Sequence, residues 1–396
     1  MDPSPTFHHT LSCDLADPAR DAQVDIPTDR PCIRPVSRVS RLSLLLLLPL
    51  ADLAFGEFPD AAPPQPATPP VARAIPAVSL VHEAVDDRAV TKFRTDPGVI
   101  RSMVGSVVRR TTGCATTSEA WQSLLKPGDR IGIKINATGA PLGGTRIDVV
   151  EAVLGGLDEA GIPRGRVLVW DRDGAAMRRG GYTPERLRCR VASLTGRGSD
   201  YDPEVYFTSM VLGSLIHGDL GFEKTRGAHR GSPESLSNRS HLAQILAREV
   251  NRVINIPSLT HHTGCGVAGA LVNLTLPNVD NWRRFLQDGR AGDPFLPEIY
   301  ADPAVGGKVA ITLLDSLIVQ YAGGPAFDPN YSVHHGAILA SLDPVAIDGV
   351  ALQRINDYRI AARMPLLGRE ARHLLTAEEM GLGNLNPRAV RLLPAR

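Results

Sequence analysis

One strand–helix–strand unit limits the fold of this 396-residue chain more than any other stretch. Arg130-Ile131-Gly132-Ile133-Lys134-Ile135-Asn136 reads as a strand, entered through the turn Lys126-Pro127-Gly128-Asp129. Ile147 to Ala160 reads as a helix: Val149, Val150, Val153, Leu154 and Leu157 share one face, and Gly161 ends it. Val167-Leu168-Val169-Trp170-Asp171 is the next strand. Apolar strands joined through a helix by short loops belong in a parallel sheet covered on both faces. The expected class is therefore α/β, a mostly parallel sheet with helices on both faces and an irregular insert. Aromatic residues are only 5% of the chain, so Ala, Val, Leu and Ile must fill the core.

The remaining elements extend this pattern. Val78 to Val81 is a plausible first strand, and Pro97 to Thr111 a helix. Residues 172–250, rich in Gly, Arg and Ser, read as an elaborated insert ending in a helix from Ser240 to Asn251. Val253 to Ile256 is a buried strand, and Lys308 to Asp315 another. Tyr321 to Tyr331 is a Gly/Pro loop, and Ile338 to Ser341 a short strand. Asp343-Pro344 starts a helix running to Ile355, with Asp343 as N-cap and proline at the first helical position.

The N-terminal part reads differently. Residues 1–35 are polar and aperiodic, a disordered lead or a stretch upstream of a true start near Val36. Residues 36–56 place Arg38 and Arg41 before a short leucine run, as in a cleaved secretory signal. Residues 57–76 are a Pro/Ala linker, and 77–396 form the α/β domain. The expectation is an exported protein, periplasmic or extracellular, with no stable membrane span after cleavage. Its net charge of +1 gives no electrostatic case for nucleic acid. The five cysteines (13, 32, 114, 189 and 265) include no C-x-x-C pair, which argues against an iron–sulfur cluster.

Chemistry concentrates between Asn255 and Leu274. His261 and His262 follow a strand, then come Gly264, Cys265, Gly266 and, further on, Asn273. Strand ends followed by Gly-rich turns are where open α/β sheets hold ligands. Imidazole can ligate a metal or move a proton near neutral pH. Neighbours in an extended segment point to opposite sides, so one of the two histidines faces the site. Lys134 lies mid-strand between isoleucines and must snorkel, pair or work. Asp171 and Asp315 end strands and could ligate a metal; as a turn residue or N-cap, Asp171 could equally be structural. Cys265 is a thiolate ligand or an inert buried thiol. Asp348 faces the sheet crest or solvent, and His334 and His335 are a lid or a surface pair.

Together these segments resemble the DUF362 family. Lys126 to Asn136 looks like its opening strand. Asn255-Ile-Pro-Ser-Leu-Thr-His261 with Gly269-Ala-Leu-Val-Asn273 resembles its central motif. Ile311 to Asp315, Gly323-Gly-Pro325 and Ile338 to Asp348 resemble its C-terminal block. The resemblance implies a family of largely undefined function, some members carrying ferredoxin modules and many exported members a twin-arginine leader. This sequence departs from it: ferredoxin cysteines are missing, Thr260 and Val272 stand where lysines are expected, and Arg38 and Arg41 are not adjacent.

Two functions are expected from these residues. One is an enzyme of redox or proton-transfer type, using a divalent metal or an organic cofactor. Lys134, His261 and His262 would be catalytic; Asn136, Gly264, Gly266 and Asn273 would bind the cofactor; His261, Asp171 and Asp315 would hold the metal. The alternative is a non-catalytic protein that binds a small anionic molecule in the same crevice, through the N–H groups of the glycine turns.

Overall fold

A computed structural model describes residues 75–225 and 231–395. The readings for 1–35, 36–56 and nearly all of 57–76 lie outside these residues. The described chain opens with β1 (Ser79–Val85), a small hairpin of β2 (Val90–Thr91) and β3 (Arg94–Thr95), α1 (Pro97–Thr112) and α2 (Thr117–Leu124). Asp96 starts α1 as its side chain accepts the N–H groups of Gly98 and Val99 at 2.9 and 3.0 Å. Next come β4 (Ile131–Ile135), α3 (Ile147–Glu159) and β5 (Val167–Asp171), the unit read from sequence, followed by α4 (Gly174–Arg179), α5 (Pro184–Leu187) and β6 (Arg190–Ser193).

A long hairpin, β7 (Tyr201–Ser214) and β8 (Leu236–Ala243), forms its own two-stranded sheet. The chain then returns through β9 (Arg252–Ile256), β10 (Ser258–His262), β11 (Gly266–Val267), α6 (Ala270–Leu274) and α7 (Phe295–Ala301). It closes with β12 (Val309–Gln320), β13 (Ser332–Ser341), α8 (Pro344–Ala361), α9 (His373–Glu379) and β14 (Val390–Pro394).

The main sheet runs β14-β1-β13-β12-β9-β4-β5-β6, and β10 and β11 branch from β12. Strands β12, β9, β4, β5 and β6 are mutually parallel, and β13 runs against both of its neighbours. Successive residues of a strand face opposite sides, and the two faces meet different cores. Ile131, Ile133, Ile135, Val167 and Val169 pack with α1, α2 and α3. Leu168, Trp170 and Val253 pack with residues of α6, α7, α8 and α9. The apolar row of α3 is fully buried in the first core, and each such side chain contributes about 1.5–3 kcal/mol relative to exposure. Among the described residues, no helix is long and apolar enough to cross a membrane.

Four readings change. The insert starts later than residue 172, because β6 extends the parallel sheet beside β5; the irregular part is the hairpin. The helix expected over 240–251 is the end of β8 followed by a short π-helical turn, Ile245–Glu249. The Asp280 carboxylate takes the His241 N–H at 2.5 Å and holds that segment extended. Strand β12 continues to Gln320 because β13 pairs with it along its second half, and β13 starts early enough to include His334 and His335. Helix α8 runs one and a half turns past Ile355.

Candidate functional site

Strand β4 lies beside β9 in the sheet. The chain leaves β4 toward β5 on one side and β9 toward β12 on the other. Ligands of open α/β sheets bind at such a switch point, outside the carboxyl ends of the strands. Here that position is filled from within. Lys134 is fully buried on the face opposite the β4 isoleucines. Its ammonium donates to the Ile135 carbonyl at 2.6 Å, Asp171 at 2.7 Å and the Asn273 Oδ1 at 3.1 Å. An ammonium has three donors, and all three are spent. Burial pulls the Lys134 pKa down, and the Asp171 charge pulls it back.

The other members of the cluster are equally committed. The second Asp171 oxygen accepts the Ala137 N–H at 2.7 Å. Asn273 donates to the Asn255 Oδ1 at 2.8 Å, and Asn255 donates to the Ala270 carbonyl at 2.9 Å. Asn136 donates to the Ser258 hydroxyl at 2.9 Å and accepts the Thr138 N–H at 3.0 Å. The network ties β4, β5, β9 and α6 into one crest. Lys134 therefore has no proton or lone pair to offer a substrate, and Asn136 and Asn273 brace backbone and side chains of the crest.

The histidines lie elsewhere. Pro257 breaks β9, and β10 shifts to pair with the second half of β12, Ser258 opposite Asp315 and Thr260 opposite Gln320. His261 and His262 are thus strand residues, paired with Val267 and Gly266 of β11. His261 Nδ1 accepts the Gly324 N–H at 3.2 Å. Glycine is required at 324, where a Cβ would run into the His261 carbonyl oxygen. A neutral ring that accepts at Nδ1 carries its proton on Nε2. That Nε2–H has no protein partner among the described residues and is not sealed from solvent.

The site gains two groups that the sequence reading passed over. Arg359, in the last turn of α8, donates to the Pro365 carbonyl at 2.6 Å through Nε and to the Tyr321 carbonyl at 3.1 Å through Nη1. Its charge lies close enough to His261 to hold the imidazole below its usual pKa, after burial, while Glu370 acts the other way. Tyr321 follows β12 directly, level with His261 by the register of the β10–β12 pair. Arg359 lies beyond Ile355, in the part of α8 that the sequence pattern does not mark as helical.

The metal and glycine readings are corrected. Among the described residues no three His, Cys, Asp or Glu side chains are grouped to hold a metal ion, so His261, Asp171 and Asp315 do not form a ligand set. Neutral His261 with Nδ1 accepting has no free lone pair for a metal. Asp315 is buried and spends its oxygens on the N–H groups of Arg146 (2.6 Å) and Leu317 (3.0 Å); burial still pushes its pKa up to about 6. The Gly264 N–H goes to the His262 Nδ1 at 3.1 Å, and Gly266 pairs with His262, so the glycine turn offers no free N–H cradle there. Burial, then the neighbouring His261, pulls His262 down to about 4.

Three further residues settle into structural places. Cys265 is fully buried, which pushes its thiol far up. Asp348 faces neither crest nor solvent. Its buried carboxylate caps α6 through the N–H groups of Ala270 and Leu271, at 2.5 and 3.0 Å, and a Cβ on Gly269 would strike it. His335 bonds the Tyr358 hydroxyl at 2.7 Å. A cleft of about 580 Å³ between β1, α1 and β14, and one of about 760 Å³ around β2 and β3, include none of the candidate residues.

Residues 227–353 match the family model described as "Domain of unknown function (DUF362)". The chain carries a DUF362 domain. The matched part spans β8 to most of α8, so it includes His261, Asn273 and Asp315. Lys134 and Asp171 precede it, and Arg359 lies beyond the DUF362 match. No curated protein matches the sequence. A crystal structure of a protein from Thermotoga maritima is similar at 12% identity and a TM-score of 0.37, over 71% of this chain. The chain spans 60% of the length of that protein.

Proposed function

We propose that this DUF362 protein binds a small anion, a carboxylate or a phosphate, at the end of β10, with His261 and Arg359 as the donors. The observation that carries the reading is the Gly324 N–H on His261 Nδ1 at 3.2 Å. It makes His261 a fixed Nε2–H donor at a solvent-reaching position, and Arg359 adds a charge that no carboxylate neutralises by direct contact among the described residues. Hydrogen bonds from a charged donor to a carboxylate are about twice as strong as neutral ones. Redox or proton transfer has less support: Lys134 is fully committed, and among the described residues no three His, Cys, Asp or Glu side chains are grouped around one point.

Isothermal titration with acetate and with inorganic phosphate at neutral pH tests the reading. At least one of the two binds the full chain, and His261→Ala weakens that binding by about tenfold, the loss of one charge-assisted bond of roughly 1.5 kcal/mol. The reading fails if neither anion binds, or if His261→Ala binds as well as the parent protein.

A further inference from the structure

Next to the two donors lies a pair of aromatic rings that the anion reading leaves unused. Tyr321 and Tyr358 stack with centroids 6.1 Å apart and planes 27° apart. Tyr331 meets Tyr321 edge-on at 5.9 Å. Each ring of the stacked pair is held in place. The Tyr358 hydroxyl is fixed to the His335 Nδ1 at 2.7 Å. The Tyr321 backbone is held on both sides, its N–H on the Tyr331 carbonyl at 2.9 Å and its carbonyl under Arg359 at 3.1 Å. Both tyrosines are only half-buried. Aromatic rings fixed by packing and hydrogen bonds lose little freedom when a ligand settles against them.

The donor count limits the anion. One imidazole N–H and one free guanidinium edge match the two oxygens of a carboxylate. A phosphate dianion would bring further oxygens and a second charge toward exposed Glu370, whose field already reaches His261. Resting on the anion-binding reading, we infer that the ligand is a monocarboxylate bearing a planar ring. Its carboxylate meets His261 and Arg359, and its ring lies against the Tyr321–Tyr358 pair.

Titration of the full chain with benzoate, acetate and inorganic phosphate tests this. Benzoate binds about tenfold more tightly than acetate, the size of one good ring–ring contact, and more tightly than phosphate. Tyr321→Leu brings benzoate down to the level of acetate, while Tyr321→Phe, which keeps the ring, preserves the preference and controls for folding. Equal binding of benzoate and acetate overturns the ring assignment and leaves the anion reading standing. So does a benzoate preference that survives in Tyr321→Leu. Tighter binding of phosphate overturns the monocarboxylate. If none of the three anions binds, the anion reading and this inference fall together.

Discussion

Lys134→Met loses about 3–5 kcal/mol of folding stability in urea denaturation, the usual cost of removing one partner of a buried ion pair. The methionine fills the space of the lysine stem but leaves the Asp171 charge unpaired, with only the Ala137 N–H on its other oxygen, and the Asn273 amide oxygen without the ammonium. Adding Asp171→Asn to the same chain restores part of the loss, because the stranded charge disappears; the Ala137 N–H can still find the amide oxygen. A lysine outside such a network would behave differently. Replacing a lysine that held no buried partner would leave stability nearly unchanged, since no charge would be stranded. Wild-type stability in Lys134→Met would therefore contradict the scaffold role of the crest.

His373→Leu gains stability, and the gain grows as the pH falls. His373 is fully buried on α9, and neither ring nitrogen has a hydrogen-bond partner. Leaving a buried polar group unpaired costs about 1–3 kcal/mol, which leucine removes at any pH. Burial, then the nearby His262, pushes the imidazole from 6.5 down to about 3. The unfolded chain therefore takes up the proton first. The neutral ring's contribution is complete above pH 6.5 and drains away as pH falls toward 3. By pH 5 the drain is about 2 kcal/mol.

Asp348 works in the opposite direction. Its folded pKa of about 7 lies above the ordinary 3.8, so its contribution is complete below pH 3.8 and is lost as pH rises through 7. Asp315, pushed up to about 6, adds to that side, and His262, pulled down to about 4, adds to the histidine side. Between pH 4 and 6.5 these two histidines and two aspartates therefore pull the parent's stability in opposite directions. Urea denaturation of parent and His373→Leu at pH 7.5 and 5.0 checks this. The difference between them widens by about 2 kcal/mol at the lower pH. A constant difference would mean that His373 is not titrating from a buried neutral state, and a less stable leucine variant would mean that the ring has a partner.

The sheet was largely legible because its strands are apolar on both faces and its helices carry clear start signals. Ile131 to Ile135, Ile147 to Glu159 and Val167 to Asp171 fall where periodicity put them, and Asp343 caps α8 as read, through the N–H groups of Val345 and Ala346. The errors came where tertiary contacts outweigh local pattern. Ser240 to Ala243 has no strong strand signal of its own; pairing with β7 and the Asp280 carboxylate make it extended. Pro257 belongs to a motif in the sequence, whereas in the fold it divides two strands that meet β12 at different heights, the first beside β4 and the second beside β11. That division carries His261 away from the Lys134 cluster. Nor can sequence tell a polar group that is free from one that is spent. Lys134, Asp171, Asn273 and Asp315 were singled out for being polar at strand ends, and their roles depend on hydrogen bonds to residues up to 169 positions away. Arg359 and Tyr321 were missed for the converse reason: only the fold brings them beside His261.

Anion binding at β10 depends on the protonation of one ring, and long-range proton–nitrogen NMR of the histidine side chains reads it directly. His261 shows a neutral ring with the proton on Nε2 at pH 7, takes up a proton at lower pH than an exposed imidazole because burial and Arg359 hold its pKa down, and its Nε2–H signal shifts on addition of acetate. A proton on Nδ1, or an Nε2–H signal that no anion moves, would contradict the assignment of His261 as the anion donor.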